Sequence, residues 1–262
     1  MSQPLLVKND NGITTLTLNL PELRNPISGE EMQNALLEAI SSADRDLEVR
    51  AVILTGAGVA FSSGGNLNDM PIGRGIVDGN PAVTRHNYRH GIQRLPRLFE
   101  AIEVAVIAAV NGPAIGAGCD LACMCDIRIA GRSARFSESF VKLGIIPGDG
   151  GAWLLPRVVG YSKACELALT GDVIDADEAL ACGLVSRVVA DEELLSTAMS
   201  VAARIAANSP HAVRMTKRLM RESRLGSLSA ILEMSGNAQA IAHATAEHGE
   251  ALANFLERRE KR

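Results

Sequence analysis

The stretch from Val104 to Ile127, VAVIAAVNGPAIGAGCDLACMCDI, decides how the rest of this chain is interpreted. Seven apolar residues open it, Asn111-Gly112-Pro113 interrupts it, and a Gly-Ala-Gly turn at residues 116–118 leads into a second apolar run of helix-favouring residues. This pattern predicts a buried strand, a tight turn and a buried helix. Glycine lets a ligand approach the backbone, and the first N–H groups of a helix have no intrahelical acceptor.

Free N–H groups at the positive end of a helix dipole are suited to an oxygen that carries negative charge. The turn therefore predicts a site that stabilises an anionic oxygen. The alternative is that its glycines only let a strand turn into a helix against close neighbours, as in many α/β folds. The stretch by itself leaves both interpretations open.

The composition suits a chain that buries a full core. It has 262 residues, of which 47% are hydrophobic and 21% charged, with a net charge of −4. One large α/β domain, or one domain with an appendage, is expected from this length. So small a charge, with no basic stripe, gives no support to nucleic-acid binding, and we expect small molecules or copies of the chain as partners.

No membrane segment and no metal site are expected. The first ten residues, MSQPLLVKND, lack a basic segment followed by an apolar one, and no apolar run approaches the roughly 20 residues that cross a bilayer. We therefore expect a cytoplasmic protein. Five cysteines, three of them at Cys119, Cys123 and Cys125, predict reduced buried thiols, because their spacing matches neither a disulfide framework nor a zinc pattern.

Repeated strand, turn and helix signals precede the organising stretch. Residues 5–8 and 13–19 alternate around Asn-Asp-Asn-Gly and predict a hairpin. Ser28 and Glu31 form a capping-box pattern for a helix through about residue 43. Residues 51–55 predict a buried strand, and a second glycine-rich turn follows at residues 56–70. Residues 70–85, rich in Gly and Pro, predict an irregular and functional connection.

A helix is predicted for residues 85–100, where His86, Tyr88 and His90 are either solvated or in contact with substrate. Further along, the patterns predict strands at 134–136 and 184–189, helices at 161–169 and 175–181, and a third glycine-rich turn at 147–153. From residue 191 onward the chain is predicted to be helical, with one break at Ser209-Pro210.

Three blocks of this sequence, in this order, resemble the signature blocks of the enoyl-CoA hydratase/isomerase (crotonase) superfamily. They are FSSGGNLNDM at residues 61–70, AAVNGPAIGAGCDL at 108–121 and LGIIPGDGG at 143–151. The resemblance implies an α/β fold, with a crotonase-type spiral of repeated β-β-α units over residues 1–190. It also implies a helical C-terminal region over residues 191–262 that builds homotrimers or homohexamers.

The resemblance also implies an acyl-CoA thioester substrate and no cofactor other than the coenzyme A that belongs to the substrate. By position, the backbone N–H groups of Gly65 and Ala117 would hold the thioester oxygen as it becomes enolate-like. Relatives often have glycine at the second position, but alanine keeps the N–H. Residues expected to bind substrate are Arg24, Ser63, Gly65, Asn66, Leu67, Asn68, Gly116 and Phe140, and the last helix would add Phe255 and Arg258.

Side chains at the family's two acid positions set the expected chemistry. In two-glutamate hydratases, the first carboxylate corresponds to Asp120 and the second to Phe140, which cannot transfer a proton. Asp149, in the third glycine-rich turn, is the first candidate for the missing proton carrier. Glu138 would point to the same side as Phe140 if both lay on a strand, displaced by about 7 Å. Both aspartates also have a structural alternative to catalysis. Asp149 could be a turn or N-cap residue, and Asp120 could be a first-turn residue that the helix dipole favours.

The expected function is thus enolate chemistry on an acyl-CoA, with isomerisation or a specialised hydration or dehydration favoured by Phe140. One alternative is a diketone carbon–carbon hydrolase that does not use CoA. Another is a catalytically inactive relative that only binds its ligand. The lost carboxylate favours this alternative, and the retained glycine turns argue against it.

Overall fold

The computed structural model describes residues 3–260, and a six-stranded sheet lies at its centre. In spatial order its strands are β1 (Leu5–Asp10), β2 (Ile13–Leu18), β3 (Ala51–Gly56), β4 (Ala105–Val110), β6 (Ile127–Gly131) and β9 (Arg187–Val189). Within this sheet, as described for residues 3–260, β1 and β2 pair antiparallel and the other neighbouring strands pair parallel. A second sheet of three strands contains β5 (Pro113–Ile115), β7 (Arg135–Ser137) and β8 (Val173–Asp175).

The predicted hairpin is confirmed, and its turn explains the pairing. Asn11 and Gly12 both have positive φ, 49° and 75°, which is the backbone of the tight turns that join twisted antiparallel strands. The register then places Leu5 opposite Leu18. Asn-Gly at this position therefore fixes the first two strands locally.

Both faces of the central sheet are buried, so β3 and β4 are continuous apolar runs and do not alternate. On one face, Ile53 and Ile107 pack against α8 (Leu194–Ala206) through Leu194 and Ala198. The opposite face joins the main core, together with α1 (Glu30–Arg45), α3 (Arg94–Ala101) and α4 (Ala117–Met124). The predicted order of strand, turn and buried helix is confirmed for α4, although the sequence did not predict β5 before the turn.

The other helices are α2 (Pro81–His90), α5 (Gly151–Val159), α6 (Tyr161–Thr170), α7 (Ala176–Ala181), α9 (Pro210–Glu222), α10 (Leu228–His243) and α11 (Ala246–Glu260). Two predicted helix boundaries are wrong. The first is the capping box, because Gly29 is the N-cap of α1 and the Ser28 hydroxyl instead accepts a hydrogen bond from the Asn66 N–H at 2.9 Å. Ser28 is thereby used to hold the second glycine-rich turn.

The second wrong boundary is the single helix over residues 85–100. Two helices, α2 and α3, occupy this region and are separated at Gly91, whose φ of −106° and ψ of −114° are not helical. A Cβ at Gly91 would lie 2.7 Å from the Asn87 carbonyl oxygen, so the chain turns at a position where only glycine fits. The break directs α2 over the cleft and α3 onto α1.

The C-terminal region is broken more often than predicted. Beyond the break before Pro210, α9 ends at Glu222 and α10 ends at His243. Before this region, the strand predicted for residues 184–189 is shorter than expected, because β9 has only three residues. The helix α8 follows the division that the sequence predicts between residues 190 and 191, and it packs on the central sheet. The terminal residues 1, 2, 261 and 262 of the two predicted regions lie outside the described residues.

The helix α9 is attached to the sheet by buried cations. Arg214 donates to the Asp44 carboxylate at 3.1 Å, and the Lys217 ammonium lies 2.8 Å from the carboxylate of Asp126. Arg221 binds the other oxygen of Asp126, also at 2.8 Å. Because these groups are mostly shielded from water, each partner satisfies a charge that would be costly to bury alone.

The first helix of the region from which subunit contacts were expected, α8, uses most of its apolar side chains inside the monomer. Leu194 and Ala202 are buried against the sheet, and Met199 and Ile205 pack beside them, whereas Leu195 is exposed. Large apolar side chains are exposed instead on the last two helices: Leu228, Leu232, Ile241, Leu252, Phe255 and Leu256. No helix within residues 3–260 combines the length and the apolarity needed to cross a bilayer.

Candidate active site

Two glycine-rich turns meet beside the C-terminal ends of β3 and β4. The Ser62 N–H donates to the Pro113 carbonyl at 3.1 Å, and the Ile115 N–H donates to the Ser62 carbonyl at 3.0 Å. The Gly116 N–H is held in turn by the Ser137 carbonyl at 2.7 Å. These bonds fix residues 62–65 against residues 114–118.

Glycine is required where the turns touch. A Cβ at Gly64 would lie 2.9 Å from the Ala117 nitrogen and would collide with the Ile115 carbonyl, and Gly64 has a φ of +77°. A Cβ at Gly118 would lie 2.9 Å from the Ser62 carbonyl carbon. The glycines thus permit a close contact between two backbones. The sequence predicts each glycine-rich turn separately, but it does not predict that the two turns touch.

Two backbone N–H groups at this contact are free to bind a ligand. Ala117 is the first residue of α4, whose first intrahelical bond runs from the Asp120 N–H to the Gly116 carbonyl. The Gly65 N–H has no acceptor within residues 3–260. Gly65 and Ala117 line the same cleft, so the two predicted donors are brought together.

The cleft has an inner and an outer part. The inner part is bounded mainly by apolar and glycine residues, and its polar lining residues are Ser28, Asn66, Asp69, Tyr88 and Asp149. The outer groove is lined by all the substrate-binding residues predicted from the sequence: Arg24, Ser63, Gly65, Asn66, Leu67, Asn68, Gly116 and Phe140. Both parts share Gly65, Asn66, Met70, Ala117 and Phe140, so they are continuous.

Some cleft residues were not anticipated. Lys142 lines the outer groove, where it adds a second cation to Arg24 and lies 3.6 Å from the Asp172 carboxylate. Ile76 and Val77, from the irregular connection, line the inner part. Phe255, by contrast, is 67% exposed and lines neither part of the cleft. Arg258 is likewise absent from both linings.

Three carboxyl groups lie in the protein interior at the floor of the inner cleft. Asp120 is 0% exposed, Glu138 1% and Asp149 3%. Only Asp149 lines the cleft, whereas Asp120 lies behind it, against Gly151 at the start of α5. Within residues 3–260, neither oxygen of Asp120 or Glu138, nor Oδ1 of Asp149, receives a hydrogen bond from an N–H or hydroxyl donor.

Burial and mutual repulsion change the titration of this cluster. Burial raises the pKa of Asp120 well above its ordinary value, and the neighbouring Glu138 and Asp149 raise it further. Burial likewise raises the pKa of Glu138 to about 7 and shifts the pKa of Asp149 upward. These carboxyls therefore retain protons at a pH where exposed carboxyls are ionised.

Phe140 and Tyr88 provide the walls around Asp149. The ring of Phe140 packs beside Gly116 and borders both parts of the cleft. Tyr88 of α2 packs against Gly148 and is half-buried, and burial together with the charge of Asp149 raises the pKa of its phenol. Of the three α2 residues singled out in the sequence, Tyr88 reaches the cleft, while His86 and His90 stack on each other at 4.2 Å and are exposed.

Comparisons with known proteins agree with this geometry. The model of the enoyl-CoA hydratase/isomerase family matches residues 8–262. The chain is 38% identical to the 1,2-epoxyphenylacetyl-CoA isomerase of Escherichia coli, over 99% of this chain and 97% of that protein. It is 35% identical to the short-chain-enoyl-CoA hydratase of Clostridium acetobutylicum, over 97% and 95% of the two chains.

The chain belongs to the enoyl-CoA hydratase/isomerase family. A crystal structure of an enoyl-CoA hydratase from Bacillus anthracis superposes with a TM-score of 0.90 at 33% identity, covering 98% of this chain and 97% of that one. The predicted superfamily and fold class are therefore confirmed. As an enoyl-CoA hydratase/isomerase, the protein is an enzyme that acts on acyl-CoA thioesters.

The cysteines of the chain are free thiols. All five cysteines are unpaired, and Cys119, Cys123 and Cys125 are buried along α4 and at its end. Within residues 3–260, no group of three or more His, Cys, Asp or Glu residues is arranged to hold a metal ion.

Glu138 is the residue whose position the sequence misjudged. It does not lie on a strand with Phe140, because β7 ends at Ser137 and residues Ser139–Leu143 form a 3₁₀ turn. The turn sends Glu138 inward and Phe140 to the cleft. Glu138 stands between Ser137 and Ser139, so the local sequence gives no sign of its burial, which depends on this turn.

Proposed function

We propose that the protein is an enoyl-CoA isomerase that moves a carbon–carbon double bond between the 3,4 and 2,3 positions of an acyl-CoA. The observation that carries the proposal is one cleft lined by two free N–H groups and by Asp149, while Phe140 occupies the second acid position. An isomerase needs one base that returns the proton it removes, and it tolerates an apolar wall where a hydratase needs a second proton-transfer group.

In the proposed reaction, the coenzyme A part lies in the outer groove near Arg24 and Lys142, and the acyl part enters the inner cleft. Ionised Asp149 takes a proton from C2, and the electron pair of the broken C–H bond delocalises over a dienolate. The Gly65 and Ala117 N–H groups stabilise the charge on the thioester oxygen. Asp149 then returns the proton to C4, and the double bond forms between C2 and C3.

The environment of Asp149 supports this role. Its raised pKa makes the carboxylate a stronger base than an exposed aspartate, while its position at the cleft wall leaves it in reach of substrate. Asp120 does not line the cleft, so in this scheme it acts on substrate through Asp149. The second candidate is a specialised dehydration with the same residues, in which Asp149 takes the C2 proton, the double bond forms between C2 and C3, and Asp149 returns that proton to the C3 hydroxyl as it leaves as water.

The test compares wild type, Asp149→Asn and Asp120→Asn on a 3-enoyl-CoA and on crotonyl-CoA, with exposed Asp177→Asn as the matched control. We expect wild type to isomerise the 3-enoyl-CoA faster than it hydrates crotonyl-CoA. Asp149→Asn should lower isomerisation by about 10²- to 10⁴-fold. Rapid hydration of crotonyl-CoA that Asp149→Asn leaves unchanged would refute the isomerase assignment.

Calorimetric titration with CoA and acetoacetyl-CoA separates the broader alternatives. Binding without turnover would favour an inactive binding relative, and absence of binding would favour a diketone hydrolase independent of CoA.

We also propose a homotrimer or homohexamer, because the exposed apolar residues of α10 and α11 need a cover that this chain alone does not supply. Leu228, Leu232 and Phe255 are 75%, 60% and 67% exposed. A cytoplasmic location is proposed as well, since five unpaired cysteines suit a reducing compartment.

A further inference from the structure

The buried floor of the cleft contains more carboxyl groups than the proposed isomerisation uses. Asp149 alone faces substrate, yet Asp120 and Glu138 are more deeply buried than Asp149 and lack N–H or hydroxyl donors within residues 3–260. Neither forms an ion pair with a cation in that part of the chain. Two acids in such a place require a physical explanation.

Asp120 is the middle member of the cluster. Its carboxyl adjoins both Glu138 and Asp149, and the three come from different elements: α4, the 3₁₀ turn after β7, and the glycine-rich turn before α5. Gly151 packs on the Asp120 carboxyl so closely that a Cβ would lie 2.7 Å from Oδ2. The fold therefore holds this carboxyl in one position.

Carboxyl oxygens that contact one another repel when both groups are ionised and form a hydrogen bond when one group carries a proton. No compensating cation is present among the described neighbours. The other titratable groups that face the cluster are Cys119 and Cys123 on α4 and Tyr88 on α2, none of which is positively charged. The cluster must therefore hold at least one proton at neutral pH.

We propose that Asp120, Glu138 and Asp149 form a proton-sharing unit, in which Glu138 is a positioning residue that tunes how strongly Asp149 binds a proton. Fully buried Asp120 keeps a proton and connects the other two groups. Glu138 changes between its neutral and ionised forms near neutral pH. When Glu138 is ionised, its negative charge makes Asp149 a stronger base, and when it is neutral Asp149 becomes a weaker one. The effect on catalysis rests on the proposed function, whereas the shared proton does not.

The first experiment needs no substrate. An acid whose pKa rises on folding stabilises the folded state at low pH, and that stability is lost as pH rises from the unfolded value to the folded one. For Glu138 this interval runs from the ordinary glutamate value, about 4.3, to about 7. We expect the urea midpoint of wild type, at fixed protein concentration, to fall between about pH 4.3 and 7 and to level off above that interval.

Glu138→Gln keeps the shape but does not titrate, so the fall in its midpoint should be smaller. Exposed Glu192→Gln is the matched control and should retain the wild-type fall. Equal pH dependence of the midpoint in Glu138→Gln and Glu192→Gln would overturn the proton-sharing unit, whatever reaction the enzyme catalyses.

The second experiment tests the link to Asp149 through the pH dependence of kcat/KM on a 3-enoyl-CoA. Since Glu138 becomes ionised only as the pH approaches about 7, its charge should strengthen Asp149 as a base there, and the wild-type profile should rise a second time near that pH. Glu138→Gln should lack this second rise, and Glu138→Asp, which keeps a titrating carboxyl, should restore part of it. A uniform fall in rate that leaves the second rise in place would mean that Glu138 serves packing only and would overturn the tuning role.

The outcomes of the two experiments are independent, so they distinguish a failure of this inference from a failure of the proposed function. If wild type does not isomerise any 3-enoyl-CoA but Glu138→Gln reduces the pH dependence of the midpoint, the shared proton stands and the proposed function falls. If isomerisation is observed but the pH dependence of the midpoint and the second rise of kcat/KM are both unchanged in Glu138→Gln, the proposed function stands and this inference falls.

Discussion

Replacing Gly65 by proline should remove one of the two backbone donors with little harm to the fold. The Gly65 N–H has no acceptor within residues 3–260, so no structural hydrogen bond is lost. A Cβ at this position would meet only the terminal methyl of Met70, at 2.8 Å, and the flexible end of a methionine can move. The cost should therefore fall mainly on the reaction.

The size of that cost follows from the charge on the thioester oxygen. One donor of such a pair stabilises the transition state by about 2.7–4 kcal/mol, which corresponds to a fall in kcat of about 10²- to 10³-fold. Binding of CoA should largely persist, because the outer groove is lined by other residues as well, including Arg24 and Lys142. Turnover of a 3-enoyl-CoA and calorimetric titration with CoA measure the two effects.

Gly65→Ala is the matched control, since it adds the same Cβ but keeps the N–H. We expect it to retain most of the wild-type rate once the Met70 side chain has moved. Wild-type kcat in Gly65→Pro would refute the role of this N–H. Equal losses in the alanine and proline variants would show that the Cβ, and not the missing donor, causes the defect.

Four further results are expected. The isomerisation rate should rise with pH through the raised pKa of Asp149, and an acid limb at the ordinary aspartate value of about 4 would contradict its burial. Asp126→Asn should lower the free energy of unfolding by about 3 kcal/mol, measured by urea, because Lys217 and Arg221 lose their shared carboxylate. Phe140→Glu should raise crotonyl-CoA hydration by at least about tenfold, since it adds a proton-transfer group to the cleft, and no rise would show that this position does not limit hydration. Light scattering at micromolar concentration should give the mass of a trimer or hexamer, and a monomer mass would exclude both assemblies.

Local chemistry determined much of the fold from the sequence alone. The Asn-Gly turn specifies the hairpin through its positive φ values, and unbroken apolar runs identify β3 and β4 as strands buried on both faces. The glycine turn before Ala117 marked the start of a helix with free N–H groups. Three ordered blocks were then sufficient for the family, since the order and spacing of motifs are properties of the sequence itself.

Contacts between distant segments could not be deduced in the same way. The helix pattern of the sequence continues through Gly91, but Gly91 has non-helical backbone angles. With these angles a Cβ would collide with the Asn87 carbonyl oxygen, so the break requires glycine. The sequence predicted a helix after residue 191 as part of an oligomerisation region, but only the tertiary structure shows that the apolar face of α8 packs on the central sheet. Periodicity identifies an apolar face without naming the surface that covers it.

The carboxyl groups show the same limit at the site. The sequence supplied Asp120, Glu138 and Asp149 as acids, and the resemblance suggested which positions matter. Only the tertiary structure decided that Asp149 faces the cleft, that Asp120 lies behind it and that a 3₁₀ turn sends Glu138 inward. The physical reason is that the proton affinity of an acid depends on burial and on neighbouring charges, which segments far apart in the chain provide after they have packed together.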